Sequence, residues 1–387
     1  MAVAWDDDPV VAAWRGLAPL AGDVTADACV IGLGASGLAA VAALADRGLS
    51  VIGLDAGRTA GRAAGRNGGF LIAGPAASLH QAIDAWGVDA AVWLYRETLR
   101  ELAGLEATLG PEVVRRTGSI RLAGLPGEPV SEVEEAERAA ELADCTLQAE
   151  AMRTHGLDVQ DYDGPLGLGL FLPDDAATNP AQRAIELARR LGGQAALHEH
   201  TPVQSVQSGR VVTALGTVSA AVVVAAVDGQ LELLLPQLTG RVRTARLQML
   251  ATAPVEPARL PCPVYGRWGY DYAQQASDGR IYAGGGRDRF AADEWTTDAT
   301  PTAPVQAYIE SVAARMAGQP VGVTHRWAAS VGFTGDARPL CVLVDDGVVA
   351  CGGYSGTGNL VGPVASRAAV ALLLDGTAPP PAFDSAS

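Results

Sequence analysis

Apolar positions along the chain come in short runs punctuated by glycine, and two spacings alternate. Asp27 to Ile31 carries Cys29, Val30 and Ile31 in succession without helical spacing, which predicts a short buried strand. After Gly32-Leu33-Gly34-Ala35-Ser36-Gly37, the stretch Leu38 to Arg47 is alanine-rich and helical, and Gly48 is placed to end it. Val51 to Leu54 is a second apolar run that closes on Asp55. Gly57 to Gly74 has neither helical nor strand spacing and predicts a long functional loop, near whose end Phe70-Leu71-Ile72 resumes an apolar run. Ser131 to Ala151, long, charged and alanine-rich, reads as helical. Pro202 to Val206, Arg210 to Ala214 and Ala220 to Val227 read as a meander with turns at Ser208-Gly209 and Gly216, its last strand ending at Val227-Asp228-Gly229. Leu247 to Ala251, Tyr270 to Gln274 and Arg280 to Gly284 read as sheet strands. Gly347 to Cys351 reads as a buried strand ahead of a long apolar helix from Leu360 to Leu374.

The chain has 387 residues, 49% hydrophobic and 18% charged, with 46 glycines, so two interleaved lobes are expected. The longest apolar run, Ala220 to Val227, falls well short of the roughly 20 residues a bilayer span needs. The N-terminus, with Asp6, Asp7 and Asp8, lacks a secretory pattern, and a soluble cytoplasmic protein is expected. A net charge of -15 argues against nucleic acid as a partner, because that grip is built from phosphate-neutralising cations. All 28 basic residues are arginine, which removes Schiff-base, P-loop and lysine-base mechanisms at once. Cys29, Cys145, Cys262, Cys341 and Cys351 show no CxxC spacing and read as buried free thiols. His198 and His200 would share a strand face, but two ligands do not make a metal site.

Strand, GxGxxG, helix, strand, acid is the full dinucleotide-binding unit. Gly32 permits the tight turn, Gly34 lets a pyrophosphate approach the backbone, and Gly37 lets helix and strand pack closely. The helix N-terminus, with Ala35 and Ser36, supplies free N–H groups and partial positive charge. Asp55 stands where a carboxylate would accept both ribose hydroxyls of an adenosine. The unit alone does not choose between NAD and FAD. The Gly57 to Gly74 loop supplies arginines and backbone amides for a pyrophosphate and ring system, and the meander would lie over the adenosine half. Near the C-terminus, Gly352-Gly353-Tyr354-Ser355-Gly356-Thr357-Gly358-Asn359 is a second glycine loop opening a helix. Such a helix N-terminus could stabilise negative charge on a reduced flavin, which an NAD-dependent protein does not need.

Together these segments resemble the family of FAD-dependent amine and amino-acid oxidoreductases, which includes D-amino-acid oxidase, glycine oxidase, sarcosine oxidase and gamma-glutamylputrescine oxidase. The likeness is nearest the last, through Pro19-Leu20-Ala21-Gly22-Asp23-Val24, Gly65-Arg66-Asn67-Gly68-Gly69, Asn179-Pro180, and Asp278-Gly279-Arg280-Ile281-Tyr282-Ala283-Gly284-Gly285. Trp327, Asp336, Pro339 and the Gly353 to Gly358 loop fit its C-terminal half. The resemblance implies an α/β fold, with a discontinuous Rossmann-like FAD-binding domain and a second α+β substrate domain built on an antiparallel sheet. The FAD-binding pieces would be 1–78, 151–240 and 324–387, and the substrate pieces 79–150 and 241–323, the first of them helical from about Leu79 to Leu147. It implies FAD contacts at Gly32, Gly34, Ala35, Ser36, Gly37, Asp55, Ala56 and Arg58. Further contacts would come from Arg66, Asn67, Gly68, Gly69, Val203, Gly353, Gly356, Thr357, Gly358 and Asn359.

Three departures from the family pattern bear on chemistry. Where relatives such as glycine oxidase place a carboxylate-holding arginine after the family tryptophan, this chain has Val331, so an α-carboxylate held in that way is not expected. Where sarcosine oxidase attaches its flavin through cysteine, this chain has Ala329, which implies non-covalent FAD. The lysine that activates oxygen there has no counterpart, so the acceptor is oxygen, served by another positive group, or a different electron carrier. Ala63-Ala64 also replaces a family serine before the RNGG loop.

The implied reaction moves a hydride from the carbon beside an amine to flavin N5, and water hydrolyses the resulting imine. The amine must arrive neutral, which desolvation in an aromatic pocket favours without a dedicated base. Pocket candidates are Tyr265, Trp268, Tyr270, Tyr272, Gln274, Tyr282 and Trp327, with Tyr354 beside the ring and His325 and Arg326 just before the active-site run. Competing classes are an NAD(P)-dependent dehydrogenase, a flavoenzyme oxidising a C–OH bond, and a non-catalytic flavin-binding subunit. A phosphorylated C–OH substrate would need clustered basic residues, and the substrate sheet offers only Arg267, Arg280, Arg287 and Arg289.

Overall fold

A computed structural model of the protein describes residues 2–384. The first apolar runs become neighbouring parallel strands, Ala28–Ile31 and Val51–Leu54, at the centre of a six-stranded sheet. Val222–Ala225 pairs in parallel on the other side of Ala28–Ile31, followed by Val348–Gly352, while Ala196–His198 flanks Val51–Leu54. Leu340–Asp345 closes the edge antiparallel to Val348–Gly352. Helices Ala35–Ala45 and Gly358–Asp375 pack against each other on this sheet and share one apolar core with its strands.

The second large sheet has eight strands, and five neighbours running in from one edge are antiparallel: Val323–Phe333, Arg243–Pro254, Arg280–Gly284, Asp271–Gln275 and Val264–Gly266. Ser119–Leu122 joins it in parallel with Val264–Gly266 and is followed by Gly167–Leu172 and Gln160–Gly164. Helix Ala303–Ala317 buries Val305, Ile309, Val312 and Met316 against this sheet in a separate core. Helices Leu79–Trp86, Val88–Leu109 and Glu132–Thr154 occupy most of the expected helical stretch, which the strand Ser119–Leu122 interrupts.

Three expectations are corrected. Gly216 does not separate two strands of the meander. It opens a strand, Gly216–Ser219, which completes a small sheet with Arg210–Thr213, Val203–Gln207 and Val24–Thr25. The run Ala220 to Val227 belongs to the parallel sheet instead. Its unbroken apolar character, without polar alternation, suits a strand buried on both faces. The segment Gly57 to Gly74 is not loop throughout: Ala63–Arg66 forms a helical turn, which the Asn67 side-chain amide caps by donating to the Ala63 and Ala64 carbonyls at 3.0 and 3.2 Å. Gln160–Gly164, Gly167–Leu172 and Val323–Phe333 all lie in the eight-stranded sheet, because backbone pairing, which short apolar runs leave open, assigns them there.

Candidate active site

The first glycine loop is shaped by contacts that exclude side chains. Gly32 has φ +97°, and a Cβ there would meet the Ala226 carbonyl oxygen at 2.6 Å. A Cβ on Gly37 would overlap the Gly32 carbonyl, so this glycine lets the helix approach the strand. Gly34 caps the helix with no side-chain partner, leaving the first N–H groups free. Asp55 closes the loop, its two oxygens accepting from the Leu33 and Gly57 amides at 2.9 and 2.8 Å. Burial raises this carboxyl above its ordinary range, and the carboxylate keeps further lone pairs for a ligand.

The second glycine loop is built by the same physics. Gly353, Ser355 and Gly356 all have positive φ, at +67°, +52° and +100°. The Thr357 hydroxyl donates to the Tyr354 carbonyl at 2.8 Å, and helix Gly358–Asp375 begins there without a side-chain cap. Asp228 holds this loop to the Val323–Phe333 strand, accepting from the Tyr354 amide at 3.1 Å and the Gly332 amide at 3.2 Å. Its burial pushes the carboxyl up to about 6. Asn359 joins this second glycine loop to the Arg66–Phe70 segment, far away in sequence. Its side-chain amide donates to the Phe70 carbonyl at 2.7 Å and exchanges hydrogen bonds with Asn67 at 3.1 Å. Fully buried Arg183 donates to the Asn359 carbonyl and side-chain oxygen at 3.0 and 2.9 Å, and burial lowers this guanidinium to about 10.

Both loops line one cavity of about 1500 Å³. Of the residues singled out for a cofactor, Gly32, Gly34, Ala35, Ser36, Asp55, Ala56, Arg66, Asn67, Gly68, Val203, Gly356, Thr357, Gly358 and Asn359 lie on its wall. Gly37, Gly69 and Gly353 stand behind the wall as backbone spacers: a Cβ on Gly69 would overlap the Thr178 carbonyl. Arg58 turns away toward the N-terminal arm, donating to the Val11 carbonyl at 2.8 Å, with Asp6 at 3.9 Å.

Of the substrate candidates, Tyr265, Trp268, Tyr270, Tyr272 and Tyr354 line the cavity, whereas Gln274, Tyr282 and Trp327 do not. Gln274 donates to the Gly68 carbonyl from behind, and the Trp327 indole N–H donates to the Arg66 carbonyl at 2.7 Å. Tyr282 stacks on Trp5 with ring centroids 3.5 Å apart, and the Trp5 indole donates to the Asn67 carbonyl at 2.9 Å. These residues shape the Arg66–Gly69 loop. The role of Trp5 has no signal in the sequence, because nothing local links the N-terminal arm to that loop. His325 and Arg326 face outward, toward Asp7 at 3.8 Å and Glu310 at 2.6 Å.

Trp268 reaches the wall from a pair of left-handed residues, Arg267 and Trp268, at φ 50° and 55°. The buried Glu141 carboxylate holds that conformation by accepting both of their amides, at 2.8 and 2.6 Å. Burial raises the phenols of Tyr265 and Tyr272 well above their usual value, so both stay neutral. Also on the wall are Val331, Ala329, Phe333, Arg287 and the buried pair Arg246–Glu294, which is 2.7 Å apart with Gln248 at 3.0 Å from Glu294. Sequence spacing did not single out that pair, because its two residues meet only across the sheet edge. All five cysteines are free and buried, and none lines the cavity. Among the described residues, no group of three or more His, Cys, Asp or Glu could hold a metal ion, and no helix is long and apolar enough to cross a membrane.

An extended dinucleotide fits these residues. Two uncapped helix N-termini face one cavity, and at Gly32 any side chain would collide with the adjoining strand end. The buried Tyr354 side chain, from the second glycine loop, lies on the same wall as Ser36 of the first.

Comparison with known proteins agrees with this geometry. Residues 27–372 match the family model of the FAD dependent oxidoreductases, abbreviated DAO. A probable oxidoreductase, OrdL, from Rhizobium meliloti is 27% identical over 365 residues, covering 88% of this chain and 81% of that protein. Among solved structures, glycine oxidase from Geobacillus kaustophilus superposes with TM-score 0.70 at 19% identity, covering 93% of this chain and 96% of its own. L-proline dehydrogenase from P. horikoshii superposes with TM-score 0.71 at 18% identity, covering 94% and 96%.

Proposed function

The chain belongs to the DAO family of FAD-dependent oxidoreductases, and from that premise we propose that it oxidises the C–N bond of an amine or amino-acid-like substrate. The observation that carries this reading is the single cavity whose one part is lined by both glycine loops and whose other part is walled by tyrosines and a tryptophan. When bound, FAD accepts the two electrons and the hydrogen removed from the carbon beside the nitrogen. The uncapped N–H groups after Gly34 and Thr357 offer anion-binding ends for the pyrophosphate and for the electron-rich edge of the ring system. Asp55, at the end of the second strand, would accept from the hydroxyls of the adenosine ribose. Ala329 on the wall, and the absence of any cysteine from it, support non-covalent attachment.

Tyr270, Tyr272, Tyr265 and Trp268 strip water from the amine and favour its neutral form, whose lone pair is needed to expel the hydride. The substrate loses two electrons and two protons in becoming an imine, which water converts to a carbonyl compound and the free amine or ammonia. The Gly65-Arg66-Asn67-Gly68-Gly69 and Asp278 to Gly285 motifs support a place near the gamma-glutamylputrescine oxidase-like subgroup.

Purified protein should be yellow, and acid should release its flavin. An anaerobic panel of amines, amino acids and alcohols, followed by bleaching of the visible flavin band, tests the reaction whichever acceptor operates. Bleaching by at least one amine is the expected result. Bleaching confined to alcohols or a glycerol phosphate would overturn the C–N assignment, and a colourless protein that binds NAD would overturn the flavin reading.

A further inference from the structure

We infer that Arg287 binds a carboxylate of the substrate, so that the amine carries an acid group; this rests on the amine reading above. Five arginines line the cavity: Arg62, Arg66, Arg121, Arg246 and Arg287. Four of them are engaged. Arg62 donates to Gln230 at 3.2 Å, Arg66 to Asp6 at 3.0 Å, Arg246 to Glu294 at 2.7 Å, and Arg121 to Asp144. Arg287 alone makes no hydrogen bond or ion pair with any described residue, although it is half-buried. Its neighbour Asp288 does not compensate it, because that carboxylate turns to Arg267 at 2.5 Å.

What surrounds Arg287 is aromatic. Its guanidinium carbon lies 4.4 Å from the Phe333 ring centroid, 5.5 Å from Tyr270 and 5.6 Å from Trp295. Rings packed near a guanidinium displace water and stabilise its charge, yet they satisfy none of its N–H donors. Those donors form a planar fork that matches a carboxylate with two parallel hydrogen bonds. The turn presenting the residue is also built: the Gly286 amide donates to Asp271 at 3.0 Å, and fully buried Asp271 is held by Arg267 at 2.8 Å and the Tyr308 hydroxyl at 2.6 Å. Phe333 and Val331 share the same wall, so the head of Arg287 stands beside the strand that follows Trp327. In a chain of net charge -15, the unpaired Arg287 guanidinium on the cavity wall, with exposed Arg243 4.2 Å from the same Trp295 ring, is a local attractor for an anion.

The test uses the flavin-loaded full chain, with Arg287→Met and Arg287→Lys as variants and propionate as a non-oxidisable probe against neutral propionamide. Perturbation of the visible flavin spectrum reports binding without turnover. Propionate should bind and propionamide should not. Arg287→Met should weaken propionate about 10- to 100-fold, and Arg287→Lys should recover part of the loss, at unchanged flavin content. In turnover, the same variant should raise KM for 4-aminobutyrate or glycine by a similar factor, while butylamine or methylamine shifts less than twofold. Absence of propionate binding to the parent protein, equal losses for acids and plain amines, or a preference for inorganic phosphate would overturn the assignment. If no amine bleaches the flavin while Arg287-dependent propionate binding persists, the amine reading fails and the carboxylate anchor stands.

Discussion

Asp175 is fully buried, its carboxylate accepting from the Ala73 amide at 2.9 Å and the Ser119 hydroxyl at 2.6 Å. Burial raises this group from its usual 3.8 to about 7. Between those values the folded protein holds a proton that the unfolded chain has released. The resulting stability is complete below about pH 4 and is lost as the pH rises through about 7. Within that window the slope reaches at most about 1.4 kcal/mol per pH unit. Asp175→Asn keeps the bond from the Ala73 amide, turns the Ser119 contact round so that the side-chain amide donates to the hydroxyl oxygen, and cannot titrate, so melting curves at pH 5, 6 and 7 should fall less steeply with pH for the variant than for the parent. Parallel curves would show that Asp175 does not titrate there. Asp228, raised to about 6, contributes with the same sign and remains in both proteins. At this scale the glycines of the first loop were legible in the sequence, because the backbone path at Gly32 tolerates no Cβ. Gln274 and Tyr282 were not: alternation shows which residues share a strand face, and says nothing of which face fronts the cavity.

The N-terminal arm, Ala4–Asp7 and Pro9–Ala12, is the element whose contribution was least visible. Trp5 is 2% exposed and stacks on Tyr282, while Asp6 and Asp7 pair with Arg66 at 3.0 Å and Arg280 at 2.5 Å. The sequence marked these acids only as the opposite of a secretory leader. Trp5→Ala removes a packed aromatic and the hydrogen bond to Asn67, and should cost about 3–5 kcal/mol in denaturant unfolding, with faster flavin loss on dilution. A cost within about 1 kcal/mol would mean the arm is an ornament to a self-supporting Arg66–Gly69 loop. Elements with strong local signals, such as Val51–Leu54 and the helix Ala35–Ala45, were read closely from the chain. The Gly216–Ser219 strand was not, because a glycine in a short strand looks the same as a turn until its partners Arg210–Thr213 and Val24–Thr25 are known.

For the whole molecule, the junction of Asn359, Asn67 and Arg183 ties the C-terminal helix to the loop that follows the first βαβ unit. Asn359→Ala leaves the Phe70 carbonyl without that donor and takes one acceptor from a buried guanidinium. It should lower stability by about 2–3 kcal/mol and weaken flavin retention together, measured by unfolding and by flavin released on gel filtration. Loss of stability with unaltered flavin content would separate the junction from the cofactor site.

By itself the sequence determined the dinucleotide unit, the second glycine loop and the family, because these depend on local backbone geometry and on motifs that are contiguous along the chain. It also excluded chemistry that needs a lysine, because every basic residue is arginine. Only the tertiary structure decided that both glycine loops open into one cavity, that Trp327 and Tyr282 stand behind its wall, and that Arg287 is its unpaired cation. Those outcomes depend on which strands pair and which face of each sheet meets the other lobe. Packing over the whole chain sets that choice, and no short stretch of sequence contains it.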